Sequence, residues 1–80
     1  MNHVTYDQET DILYVRLQVG ESAKQTFLDD ARIIDRSADG AILGVEFLGA
    51  SDGVDLVDVP FAQTVQRLIK ERGLGLKVFA

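Results

Sequence analysis

The stretch Ile12–Val19, ILYVRLQV, decides the fold. Leu13, Val15, Leu17 and Val19 are all apolar, while Ile12, Tyr14, Arg16 and Gln18 are mixed. A period of two puts the first set on one face and the second on the other, the pattern of a strand with one face fully buried. Upstream, HVTY (His3–Tyr6) reads as a short first strand, and QETD (Gln8–Asp11) has the length and polarity of a hairpin connection.

Downstream, GESAKQ (Gly20–Gln25) is a loop, and a third strand, bent or interrupted near Asp29–Ala31, covers Thr26–Arg36. Asp39-Gly40 signals a hairpin of type I′, in which both central residues need positive φ. AILGVEFLGA (Ala41–Ala50) is the fourth strand, with Ala41, Leu43, Val45 and Phe47 on one face and Ile42, Gly44, Glu46 and Leu48 on the other. Residues 51–60 form an extended connection, because Pro60 pushes the residue before it out of helical space and itself suits a first helical turn. Over 61–72, Phe61, Val65, Leu68 and Ile69 make one apolar helical stripe, and Gly73 stands at its stop. The alternation of Leu74, Leu76 and Val78 gives a short terminal strand over 74–79. The expected fold is α+β in one domain, 1–80: an antiparallel four-stranded meander sheet over 1–50, one C-terminal helix packed on one face, and a short C-terminal strand.

Composition narrows the function. The chain has 80 residues and no cysteine, so disulfides and thiolate chemistry are excluded. A domain this small gains stability most naturally from oligomerisation or a partner. The net charge is −5, and residues 1–60 hold 12 acids against 4 bases. Such a surface repels phosphate backbones, which argues against nucleic acid as a partner. Residues 61–80 hold 4 bases against 1 acid, which suits cations near a helix C-terminus. The N-terminus has neither the basic start nor the apolar core of a signal peptide, and no apolar run reaches membrane-spanning length. A soluble cytoplasmic protein with no membrane association is expected.

One helix covers one face of a sheet. Leu13, Val15, Leu17, Leu43, Val45 and Phe47 are assigned to it. The opposite face then carries Ile12, Tyr14, Arg16, Ile34, Ile42, Glu46 and Leu48, an apolar surplus of the kind that marks interfaces. A homodimer about a two-fold axis is its commonest solution. Within this face, Glu46 and Arg16 are read as a cross-strand ion pair. The alternative makes Tyr14, Asp35 and Glu46 a polar site at a dimer seam, for a small molecule, a metal ion or a minor enzymatic activity. No cofactor follows from the sequence, and no catalytic residue. Asp7, Glu9 and Asp11 are weak metal candidates: the loop is too short for a calcium site and lacks its glycine, while Asp favours turns by bonding nearby N–H groups. His3 reads as a solvated terminal histidine. Ser22, Ser37 and Ser51 have no histidine context for a hydrolase triad, and the glycines are too scattered for a phosphate loop.

The order Tyr6-Asp7, Asp11, Leu13-Tyr14-Val15-Arg16, then Asp29-Asp30, Asp35, Asp39-Gly40, Gly44-Val45-Glu46, Leu48 and Ala50-Ser51 resembles the small bacterial family catalogued as domain of unknown function 2283. The resemblance covers nearly all of residues 4–51. One departure is Ala31, where the family pattern has Gly. The resemblance carries over no catalytic residue. It implies an antitoxin or other partner-neutralising role toward a small toxin-like protein, the most concrete form of the non-catalytic interaction module, itself expected from the apolar surplus of the second face.

Overall fold

The structure, a computed structural model, describes residues 3–80. Strands β1 (His3–Asp7) and β2 (Ile12–Arg16) form a hairpin with Val4 opposite Val15 and Tyr6 opposite Leu13. Strands β3 (Lys24–Asp29) and β4 (Arg32–Arg36) form a second hairpin, and β5 (Ile42–Leu48) follows. These make one antiparallel sheet of five strands in the order β1-β2-β5-β4-β3.

The sheet is therefore not a four-stranded meander. The bent third strand of the sequence reading is two strands. Asp29 accepts the Ala31 N–H at 2.9 Å and a forked pair from Arg32, and this closes the turn without positive φ at Ala31. The alanine thus fits its corner without strain. Strand β5, the most apolar of these five, lies between β2 and β4 and is paired on both edges. With β3, β4 and β5 joined by hairpins and β2 beside β5, these four strands have the Greek-key order. The segment Leu17–Ala23 crosses the end of the sheet to make that order possible. Its Leu17 and Gln18 N–H groups both reach Leu43 O, at 2.7 and 3.1 Å, and Ala23 N–H reaches Arg36 O at 2.9 Å.

The Asp39-Gly40 hairpin exists, but its turn is not type I′. Gly40 N–H closes onto Ser37 O at 3.0 Å, and Gly40 alone has positive φ, 92°. This is the three-residue loop that ends in a glycine bulge.

Helix α1 (Ala62–Arg72) turns Val65, Leu68 and Ile69 into a core shared with Val4, Leu13, Val15, Val45 and Phe47. Burying each such aliphatic side chain contributes about 1.5–3 kcal/mol. Gly73 stops the helix with φ 61° and an N–H bond to Lys70 O at 3.1 Å. Pro60 lies outside the first helical turn: Phe61 is the cap residue and the helix begins at Ala62. Nor does the helix cover its face alone. A 3-10 turn (Ala50–Asp52), a two-residue strand β6 (Val54–Asp55) and the buried Leu56 and Val59 complete the core. The C-terminal strand β7 (Val78–Phe79) pairs with β6 in parallel, in a separate two-stranded sheet. Residues 51–60 are thus a packed, folded-back segment rather than a plain extended connection.

Register sets the faces. Ile34 lies opposite Val45, which lies opposite Val15, so Ile34 belongs to the helix face, where it is 4% exposed. Its expected place on the other face is taken by Ile33, opposite Glu46. A turn inside the supposed single strand shifts its phase by one, which exchanges the faces. Ile42 is displaced as well. Asp35 pairs with Gly44 but Arg36 pairs with Ile42, so Leu43 is an extra residue in β5. Ile42 then lines a cleft with Arg36 and with Phe61 and Thr64 at the helix start. Leu43 is buried beside Gly20 of the crossover, outside the cluster beneath the helix.

Candidate functional site

On the face away from the helix, Ile12, Tyr14 and Arg16 of β2 lie beside Glu46 and Leu48 of β5, with Ile33 and Asp35 of β4 and Phe27 of β3 continuing the row. Ile12 stands opposite Leu48 and Tyr14 opposite Glu46. Phe27 is 63% exposed, an apolar side chain at the sheet edge. Five of the seven residues expected on this face are there; Ile34 and Ile42 are not.

Tyr14 organises the face. Its phenol donates to Asp35 Oδ2 at 3.0 Å, although β5 lies between the two strands. The ring passes over Gly44, where a Cβ would stand 2.5 Å from Tyr14 Oη and 2.6 Å from Val15 O. Asp35 also accepts the Ser22 hydroxyl, which anchors the crossover to the sheet. The Arg16 guanidinium carbon lies 5.9 Å from the Tyr14 ring centroid, within cation–π range. Burial, and then the bond to Asp35, push the Tyr14 phenol up to about 12. At neutral pH it is therefore a hydrogen-bond donor and not a nucleophile or base.

The expected Arg16–Glu46 ion pair does not form. Arg16 stands opposite Gly44 and reaches the tyrosine ring instead, and Glu46 has no ion-pair partner among the described residues. Two opposite charges thus lie unpaired on one open face.

The acids of the first hairpin have structural work. Asp7 accepts the Glu9 N–H at 3.0 Å. Asp11, in the left-handed region at φ 58°, accepts the Tyr6 hydroxyl at 2.6 Å, the Ser51 N–H at 2.9 Å and the Ser51 hydroxyl at 2.5 Å. These hydrogen bonds, the one from the Ser51 hydroxyl foremost, hold the Asp11 carboxyl below the usual range. The same Asp11 bond raises the Tyr6 phenol. His3 is exposed on β1. Among the described residues, no three His, Cys, Asp or Glu side chains converge in a metal-holding group. Among the described residues no helix is long and apolar enough to cross a membrane.

Sequence reasoning missed Ser22 as the second partner of Asp35, and Arg32. The Arg32 side chain is 11% exposed and bonds Asp29, Asp55 O at 3.2 Å and Val57 O, which clamps the β3–β4 turn to the segment after β5. Gly44 carried a legible signal: a glycine inside an apolar strand marks a close approach, here of the tyrosine.

The family model described as "Protein of unknown function (DUF2283)" matches residues 3–51, which span all five strands of the main sheet and the Ser51 that bonds Asp11. No curated protein and no solved structure matches the chain.

Proposed function

The chain belongs to that family, whose description assigns no activity, and we propose that it is a non-catalytic self-association module that pairs its open sheet face with a second copy. The observation that carries this is the unpaired couple Arg16 and Glu46 on one face. A two-fold axis makes an interface self-complementary, so Arg16 of each copy meets Glu46 of the other. Around them, Ile12, Leu48 and Phe27 supply apolar area. A small acidic domain of net charge −5 also suits a small basic partner on the same face, the antitoxin-like form of this reading.

Light scattering after gel filtration tests it. The wild-type chain elutes as a dimer at micromolar concentration. Arg16→Glu and Glu46→Arg each shift it toward monomer by placing like charges together, and the double swap restores the dimer. A monomeric wild type, or single swaps that leave the mass unchanged, overturns self-association by this face.

A further inference from the structure

A cleft lies on the other side of the sheet, at the helix start, and is independent of the open face. It encloses about 430 Å³ and is lined by Leu17, Gln18, Arg36, Ile42, Phe61 and Thr64, with Gly40 at its rim. That volume lies in the range of small-ligand sites.

Two observations set this cleft apart. The first is its charge. Arg36 is the only charged residue in the lining, in a chain with 13 acids and 8 bases. Its guanidinium is held from two sides, with Nε donating to Thr26 Oγ1 at 3.1 Å and Nη1 to Gly40 O at 3.0 Å. No carboxylate pairs with it among the described residues. A guanidinium carries five N–H donors, so Arg36 keeps donors, its Nη2 pair above all, for an anionic acceptor.

The second is Phe61. It is 62% exposed and sits at φ 56°, ψ 39°, a left-handed conformation that is an outlier for a bulky residue. An aromatic ring held this way forms, with Leu17 and Ile42, an apolar wall beside the guanidinium. Helix α1 also starts without a capping side chain, so the positive end of its dipole adds to the same field.

We infer that this cleft binds a small amphipathic carboxylate, an aliphatic or aryl acid whose head pairs with Arg36 and whose body lies on Leu17, Ile42 and Phe61. The few remaining donors match the two oxygens of a carboxylate better than the three of a phosphate ester. The neutral end of such a ligand needs only the apolar wall.

Titration of the isotope-labelled full chain with octanoate, followed by amide chemical shifts, tests the inference. Saturable shifts are expected at Leu17, Gln18, Gly40, Ile42 and Thr64. Octan-1-ol, with the same body and no charge, binds about tenfold or more weakly, the factor that one charge-assisted hydrogen bond supplies. Arg36→Gln weakens octanoate to the level of the alcohol. Phe61→Gly relieves the left-handed strain, so it raises the melting temperature while weakening octanoate, a combination that a purely structural role for Phe61 does not give. The inference is overturned by shifts that do not saturate, by shifts confined to Ile12, Tyr14 and Leu48 on the open face, or by equal affinity in Arg36→Gln.

Discussion

Tyr14 reaches Asp35 across an intervening strand, and Gly44 is what leaves the path open. The phenol–carboxylate bond is 3.0 Å long, and a Cβ at position 44 would stand within 2.5 Å of the phenol oxygen. Three strands are joined by one side chain where a sheet ordinarily relies on its backbone ladder.

Gly44→Ala is therefore destabilising, by about 1–3 kcal/mol, the usual size of an overpacking effect. Tyr14→Phe removes the hydroxyl and one hydrogen bond, for a loss of about 1 kcal/mol. Combined, the two substitutions lose somewhat less than their sum, because the clash with the hydroxyl is gone, while those with the ring carbon Cζ and with Val15 O remain. Urea denaturation of the four proteins measures this coupling, and strict additivity would show that the phenol oxygen does not crowd position 44.

The tyrosines titrate late. Tyr14 is pushed up to about 12 from 10.0, and Tyr6 is raised as well. A pKa raised on folding contributes stability that is fully present below pH 10.0 and lost as pH rises through about 12. Tyrosinate absorbance should lag in the folded chain relative to the chain in urea, and Asp35→Asn should bring part of it forward. Coincident titrations in the two states would rule out the buried, bonded phenol.

At the acid end the sign reverses. Asp11, Asp29 and Asp39 are all held below 3.8, led by side-chain hydrogen bonds from Ser51, Arg32 and Ser37 respectively. A depressed pKa contributes stability that is present above pH 3.8 and lost as pH falls through the folded value. Asp11→Asn keeps a side chain that tolerates the left-handed φ of 58° but removes the charge. Thermal melts should show that this variant loses less stability than the wild type on acidification below pH 4; parallel curves would remove Asp11 from the acid transition.

Arg32 should resist conservative replacement. Its fork reaches Asp29 and the carbonyls of Asp55 and Val57 at once. Arg32→Lys offers a point charge in place of a fork and is expected to lose about 1–3 kcal/mol in chemical denaturation. A loss below about 0.5 kcal/mol would mean that the clamp is a surface contact without consequence.

Most of the strands, the helix and its glycine stop were legible because they rest on local patterns: a period of two from Ile12 to Arg16, a stripe of Val65, Leu68 and Ile69, and Gly73 at the helix end; Val19 and Phe61, counted into those patterns, are exposed and lie outside the strand and the helix. Tyr14, Arg16, Glu46, Ile12 and Leu48 were legible as one face for the same reason. What failed was phase. The turn at Asp29–Ala31 split one expected strand into two, and the bulge at Leu43 added one residue, so Ile34 and Ile42 moved to the helix side. A slip of one residue exchanges faces but leaves the apolar content of the sequence unchanged, and alternation alone cannot detect it.

The sequence by itself determined the class of the fold, the identity of its apolar residues and the acidity of its surface, since these depend on composition and near-neighbour spacing. Tertiary structure decided which strand sits in the middle, whether Arg16 meets Glu46 or the ring of Tyr14, and that Arg36 and Phe61 line one cleft. Arg16 and Glu46, or Arg36 and Phe61, are far apart in the chain, and even the approach of Arg16 to Tyr14 depends on what stands opposite them. These relations are set by strand order and register, which emerge only when the sheet closes around β5.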